Sequence, residues 1–317
     1  MTATTPAQSG GKSRATASLT DEGRIKVERG FEIVYRVYGS GSQTLLGLHG
    51  GPGISSLYLE RLNEVVAGQD RKLVLYDQLG SGDSDWPDDP SLWQIQRFVD
   101  EVETVRTTLD LGVVTLFGQS WGGMLSLAYM LHHPDNVNAL VLSNTYASGK
   151  HYMLDVSEYR IGLGADMHAL MLKCEFEDNL EDPGYQDAVL ELNSRYLRRA
   201  TPYEHDKSRR EFQEIAGPYL ERIGPAYALW GPHEFRGTGP QAYFDISDRL
   251  GEIRVPALVL CGWFDELSAK RCSRPLADGI PDTEFVVFGQ SSHFTILEKE
   301  ADLYLGVIRD FIQRRVG

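Results

Sequence analysis

From Arg24 to Val37 apolar residues alternate with polar ones (Ile25, Val27, then Phe31, Ile33, Tyr35, Val37) around a break at Arg29-Gly30. That period of two predicts a two-stranded antiparallel hairpin. Further along, the pattern changes to short continuous apolar runs: Thr44 to Leu48, Leu73 to Tyr76, Val113 to Phe117, Leu140 to Ser143, Ala257 to Cys261 and Glu284 to Phe288. Runs of this length suit strands buried on both faces. Helical periodicity occupies Leu57 to Ala67, Ile95 to Leu109, Gly122 to His133 and Glu298 to Arg314, and Pro134 stops the third because it has no backbone donor. Strands alternating with helices predict an α/β fold with a doubly wound, mostly parallel sheet. One interval breaks the rhythm. Between about Tyr146 and Asp245 the chain is helix-like and rich in Tyr, Leu, Arg and Glu, with no buried-strand run, so it reads as an inserted helical unit. The expected organisation is a disordered tail over 1–22, a main domain over 23–145 and 246–317, and the insert over 146–245.

Composition narrows the partners. The 317 residues are 42% hydrophobic, enough for a large core, and carry 45 acidic against 31 basic side chains, a net charge of −14. Such a balance repels polyanions, so no nucleic-acid partner is expected. No stretch reaches the roughly 20 apolar residues of a membrane helix, and residues 1–20 lack the apolar centre of a secretory signal. The expectation is a soluble, cytoplasmic protein that makes no membrane contact; no oligomeric state follows from the pattern. Cys174, Cys261 and Cys272 show no CxxC spacing and are expected to be inert buried thiols in a reducing compartment. Cys174 to Glu191 contains seven acids and no base, the mark of a solvated outer face.

The segment that carries chemistry is Gly118-Gln119-Ser120-Trp121-Gly122-Gly123, directly after one predicted strand and directly before a predicted helix. A G-x-S-x-G sequence in that context is a nucleophile elbow: the sharp turn strains Ser120, the flanking glycines make room for it, and the hydroxyl stands above the sheet edge. A serine hydroxyl needs a base and the base needs an orienting acid, in chain order acid then histidine. Asp265 follows the Ala257 to Cys261 strand and His293 follows the Glu284 to Phe288 strand, both at the carboxyl ends where α/β sheets bind ligands. His49-Gly50-Gly51-Pro52-Gly53 follows the first central strand. Its glycines let a backbone N–H, assigned to Gly51 with Gly50 as the alternative, join the N–H of Trp121 in an oxyanion hole. His49 is expected to brace this loop.

Four motifs, His49-Gly-Gly-Pro-Gly, Asp77-Gln-Leu-Gly-Ser-Gly-Asp-Ser, Gly118-Gln-Ser-Trp-Gly-Gly and Ser292-His293, together resemble the proline iminopeptidase family of α/β-hydrolases. The resemblance implies a helical cap over the site, release of an N-terminal residue from small peptides, and no metal or other cofactor. Asp77 is expected to organise its loop. Gly231-Pro-His-Glu-Phe235 is similar to the cap motif of tricorn-associated aminopeptidases and related amino-acid amidases, with His233 in place of the family's Asn. That likeness makes Glu234, together with Glu266 beside Asp265, the acids that bind the substrate's free amine. Trp230, Tyr227, Trp263 and the Trp121 indole are candidate walls for the first side chain. The reading implied is a serine aminopeptidase acting on a small peptide or amino-acid amide through an acyl-enzyme. The alternative is an esterase, lactonase or other α/β-hydrolase that binds no amine.

Overall fold

Eight strands form one sheet in the computed structural model, which describes residues 15–197, 214, 218, 224–265 and 270–317. They are β1 (Leu19–Lys26), β2 (Glu32–Tyr38), β3 (Gln43–Leu48), β4 (Arg71–Tyr76), β5 (Val114–Gln119), β6 (Val137–Ser143), β7 (Ala257–Gly262) and β8 (Thr283–Phe288). Their order is β1-β2-β4-β3-β5-β6-β7-β8; the first two are antiparallel and the other six run parallel. Among the described residues, the helices of ten residues or more are α1 (Ile95–Thr108), α2 (Trp121–His132), α3 (Gly149–Ile161), α4 (Ala165–Phe176), α5 (Pro183–Leu192), α6 (Lys270–Gly279) and α7 (Ala301–Arg315). None among the described residues is long and apolar enough to cross a membrane.

The continuous apolar runs divide strictly by parity. Leu46, Leu48, Val74, Tyr76, Leu140, Leu142 and Val259 join one core, with Phe98 and Val102 of α1 and Met124 and Leu125 of α2. Leu45, Leu73, Leu75, Val141, Leu258 and Leu260 join the other, with Tyr304, Ile308 and Phe311 of α7. Alternate side chains leave opposite faces of a strand, so runs without polar positions require helices on both sides.

Two elements depart from the sequence expectation. β1 begins at Leu19, so Leu19 to Glu22 belong to an edge strand rather than to a tail; Asp21 and Glu22 pair with Val37 and Arg36. Thr20, Asp21 and Glu22 are exposed and carry no apolar alternation, which hid the strand. The segment expected as a helix over Leu57 to Ala67 is a 3₁₀ helix at Ser56–Leu62 followed by one α-turn at Asn63–Val66. Leu59, Leu62 and Val65, each at most 1% exposed, recur every third residue, and a 3₁₀ turn of about three residues keeps them in one stripe.

Between β6 and β7 the described residues form α3, α4, α5, the five-residue turn Asn193–Leu197 and the short helices Gly224–Leu229 and Pro240–Tyr243. The chain enters and leaves this region side by side, through the antiparallel bridge Ser148–Asp245 and the hydrogen bonds Gly149 N–H to Phe244 O (2.8 Å) and Ile246 N–H to Ala147 O (3.0 Å). In the acidic run, Glu177, Asp178, Glu181 and Asp187 are exposed. Glu175 instead turns inward, bonded to the Arg160 guanidinium at 3.0 Å and accepting from the Tyr185 hydroxyl at 3.0 Å. Cys174 and Cys261 are buried, the Cys261 thiol donating to Gly262 O at 3.2 Å, and the side chain of Cys272 lies outside the described residues.

Candidate active site

Each parallel strand delivers one loop to the same edge of the sheet: β3 the His49 to Gly53 loop, β4 the Asp77 loop, β5 Ser120, β6 Asn144, β7 Asp265 and β8 His293. β5, β6, β7 and β8 are consecutive neighbours, so residues far apart in sequence arrive side by side.

Ser120 has φ 54° and ψ −123°, a conformation that L-residues rarely adopt. The turn is locked by Ser120 N–H to Ser143 O (3.0 Å), and by Gly123 N–H (2.9 Å) and the Thr145 hydroxyl (2.7 Å) donating to Ser120 O. Glycine is required on both sides: a Cβ at Gly118 would lie 2.3 Å from Gly122 O, and one at Gly122 would lie 2.0 Å from Leu48 O. Ser120 therefore sits at the N-terminus of α2, where the N–H of Trp121 has no acceptor among the described residues. The Trp121 indole does not line a pocket. It is fully buried, donates to Gln78 Oε1 at 2.8 Å and packs edge-on against Phe98 at 5.4 Å.

His293 Nδ1 meets Asp265 Oδ2 at 3.0 Å, and both residues are buried. Burial of the imidazole opposes its protonation; the Asp265 carboxylate, by charge and by hydrogen bond, overrides this with help from Glu234 and Glu298 and raises the His293 pKa above the ordinary 6.5. With Nδ1 engaged, Nε2 is the ring nitrogen left to take a proton. Asn144, which the sequence reading missed, donates its amide to Asp265 Oδ2 (2.8 Å) and to Ser292 O (3.1 Å). Its signal was position: an Asn at the carboxyl end of β6, held at φ 50°, where Asn is tolerated better than most residues. The β8 loop is anchored from the far side by Glu298, which accepts from Ser292 N–H (2.5 Å) and the Ser292 hydroxyl, and by Glu300, which accepts from Gln290 N–H (2.7 Å) and the Ser291 hydroxyl (2.8 Å).

In the β3 loop, Gly50 N–H donates to the Tyr58 hydroxyl at 2.7 Å, whereas Gly51 N–H has no acceptor among the described residues. The two glycines are thus distinguished. His49 is wholly buried; burial lowers its pKa, and the neutral ring accepts from Gln78 N–H through Nε2 (3.0 Å) while Nδ1 lies 2.7 Å from Gly50 O. Asp77 ties three segments together, accepting from Ser56 N–H (2.6 Å), Asp83 N–H (3.0 Å) and the Ser55 hydroxyl (3.1 Å) while facing the Arg36 guanidinium at 3.3 Å.

Glu234 reaches the site from the inserted region. Tyr152 donates to its Oε1 at 2.7 Å, and Trp230 Nε1 donates to its backbone carbonyl at 3.0 Å. Burial raises the Glu234 pKa; the Tyr152 hydrogen bond and His293 counter this, and Asp265 adds to it. Tyr152 is stacked on Tyr146 at 5.1 Å and meets Trp230 edge-on at 5.2 Å, so the carboxylate stands on a rigid aromatic base. His233 accepts from Phe235 N–H through Nδ1 (3.2 Å) and meets the Tyr185 hydroxyl through Nε2 (2.7 Å); burial, with Arg160 and Arg236 nearby, lowers its pKa to about 4. Of the candidate wall residues, Trp230 is buried, and Tyr227 and Trp263 are half exposed. Glu266 lies outside the described residues. Among those described, no group of three or more His, Cys, Asp or Glu side chains is placed to hold a metal ion.

This sheet order, with a strained serine between β5 and α2 and an Asp–His pair after β7 and β8, defines an α/β-hydrolase, and residues 43–167 match the family model of the alpha/beta hydrolase fold. The proline iminopeptidase of Lactobacillus helveticus (strain DPC 4571) is 31% identical over 291 residues, 90% of this chain and 95% of that protein. The chain belongs to the proline iminopeptidase family and is a serine hydrolase. The crystal structure of proline iminopeptidase from Mycobacterium smegmatis aligns with TM-score 0.77 at 27% identity, covering 93% of this chain and 98% of that one. The crystal structure of VinJ aligns with TM-score 0.79 at 30% identity, covering 94% and 99%.

Proposed function

We propose that this chain is a serine aminopeptidase that releases an unblocked N-terminal residue, proline or another, often hydrophobic, L-residue, from small peptides or amino-acid amides. Ser120 attacks the carbonyl while His293 Nε2 takes its proton, Asp265 holds the imidazole through Nδ1, and the N–H groups of Gly51 and Trp121 donate to the developing oxyanion. His293 then returns the proton to the departing amine, and water releases the residue from the acyl-enzyme by the same route in reverse. The helices within residues 146–245 act as a cap, and Glu234 on that cap, with Glu266, pairs with the substrate ammonium.

The observation that carries the reading is the half-buried Glu234 carboxylate, fixed by Tyr152 and electrostatically coupled to His293 and Asp265. A carboxylate drawn out of water beside a catalytic base is costly unless a cation arrives to pair with it. A free N-terminal amine supplies that cation one residue from the scissile bond, and a blocked amine leaves the acid unpaired. A panel of aminoacyl-naphthylamides run on wild type, Glu234→Gln and Glu266→Gln tests this. The expected result is a raised KM or a lowered kcat/KM in both variants, and wild-type constants in both would reject the amine site.

A further inference from the structure

Tyr58 and Gln119 have no part in the steps above, yet together they join the Gly50-Gly51 loop, the Ser120 elbow and the His293 loop. The Tyr58 hydroxyl accepts from Gly50 N–H at 2.7 Å and donates to Gln119 Oε1 at 2.7 Å. Gln119 Nε2 in turn donates to the backbone carbonyl of His293 at 3.0 Å. Both side chains are buried, and Tyr58 also packs edge-on against Phe294 (5.7 Å), which packs edge-on against the His293 ring (5.1 Å). A Cβ at position 50 would lie 2.5 Å from Gln119 Oε1, so the oxyanion loop is pressed directly onto the elbow.

The direction of this relay is forced. Gly50 N–H can only donate and His293 C=O can only accept, so the single Tyr58 proton must go to Gln119 Oε1 and the Gln119 amide must face the histidine loop. A buried chain with every member satisfied has one arrangement, and removing any link strands a polar group.

We propose that Tyr58 and Gln119 are positioning residues: they hold the Gly50-Gly51 peptide and the His293 loop in one register about Ser120, so that the oxyanion donor and the base are aligned at the same moment. This rests on the reading of Ser120 as nucleophile. Occupying Gly50 N–H also leaves Gly51 as the donor facing substrate. Since the relay touches no part of the substrate, its loss acts on the transition state and spares ground-state binding.

The test uses Tyr58→Phe, Gln119→Met, their double variant and Gln119→Glu. The measurements are kcat and KM on a free-amine aminoacyl-naphthylamide, the pH profile of kcat/KM, and the rate at which a fluorophosphonate labels Ser120. Tyr58→Phe and Gln119→Met are each expected to lose about ten- to hundredfold in kcat with KM within about twofold, since misplacement of about 1 Å costs on that order. Labelling should slow in parallel, and the double variant should be little worse than the worse single one, because both cut one relay. Gln119→Glu places a carboxylate against the histidine loop and should move the acid limb of kcat/KM upward, whereas Gln119→Met should leave it in place. Wild-type kcat and labelling rates in both Tyr58→Phe and Gln119→Met would overturn the proposal, as would losses confined to KM. Failure of the probe to label Ser120 in wild type would overturn instead the nucleophile reading on which it rests. If Tyr58→Phe does not fold, Gln119→Met decides the matter alone.

Discussion

The side-chain amide of Asn144 donates to the same oxygen of Asp265, at 2.8 Å, that His293 Nδ1 engages at 3.0 Å. An oxygen shared in this way fixes the plane of the carboxylate and hence the direction in which the imidazole points. Asn144 is itself held from below, since Tyr304 donates to the Ser143 hydroxyl and that hydroxyl donates to Asn144 Oδ1, each at 2.8 Å. Asn144→Ala is expected to lower kcat by about ten- to hundredfold with little change in KM, because the acid loses its orientation rather than its charge. Steady-state kinetics on one good substrate checks this, and an unchanged kcat would show that Asn144 does not orient Asp265.

The pH profile follows from the charges around His293. In the proposed mechanism His293 works as neutral imidazole, so activity should rise as pH passes its pKa, which Asp265, Glu234 and Glu298 together raise above 6.5 against burial. The acid limb of kcat/KM is therefore expected above pH 6.5 in wild type. Glu298→Gln removes one of the three charges and should lower the limb; a limb that stays in place would show that Glu298 is not coupled to the base.

Backbone strain at the elbow makes a separate prediction. Ser120 is held at φ 54°, where a Cβ is unfavourable and glycine is not. Ser120→Gly and Ser120→Ala both lack the hydroxyl and should both be inactive. The glycine variant should nonetheless be more stable than the alanine variant by about 1 kcal/mol, the reverse of the usual order. Denaturant midpoints of the two measure it, and a less stable glycine variant would mean that the turn is unstrained.

How far this site could be read from the sequence depends on the range of its interactions. The placement of Ser120, Asp265 and His293 at one sheet edge was legible because each lies just past a short apolar run, and the ends of neighbouring parallel strands meet at one edge whatever their separation in sequence. Asn144 lies at the end of a run in the same phase but belongs to no motif, and its partner Asp265 is 121 residues away. Tyr152 beneath Glu234 and the Tyr58–Gln119 relay were hidden for the same reason: aromatic residues at helical spacing read as core, and only the folded chain aims their hydroxyls. β1 was cut short by its polar residues, since an exposed edge strand needs no apolar alternation. Glu175 was read with its run as solvated, although one member of an acidic run can turn inward when Arg160 and Tyr185 wait for it.

A buried ion pair on α1 faces the loop that follows β4. Arg97 Nη1 contacts Glu101 Oε2 at 2.6 Å with both side chains almost wholly buried, and Glu101 also accepts from Leu79 N–H at 3.3 Å, in the loop that follows Asp77. Burial raises the Glu101 pKa above 4.5 and Arg97 holds it down, so Arg97→Met should raise it further. A carboxylate whose folded pKa exceeds its unfolded value costs stability as pH rises through that interval. The variant should therefore approach wild-type stability near pH 4 and fall short of it by about 3 to 5 kcal/mol at neutral pH, the cost of a stranded buried charge. Thermal midpoints across that range check the slope, and a deficit independent of pH would show that Glu101 is not the group responsible.

Recognition of a free amine through Glu234 underlies the proposed activity. It is tested most directly by the ratio of kcat/KM for an aminoacyl-naphthylamide to that for its N-acetylated form, measured on wild type and on Glu234→Gln. Wild type is expected to prefer the free amine by at least about a hundredfold, and the preference should collapse in Glu234→Gln, because only the ammonium pairs the half-buried carboxylate. Equal turnover of the two forms by wild type would contradict it.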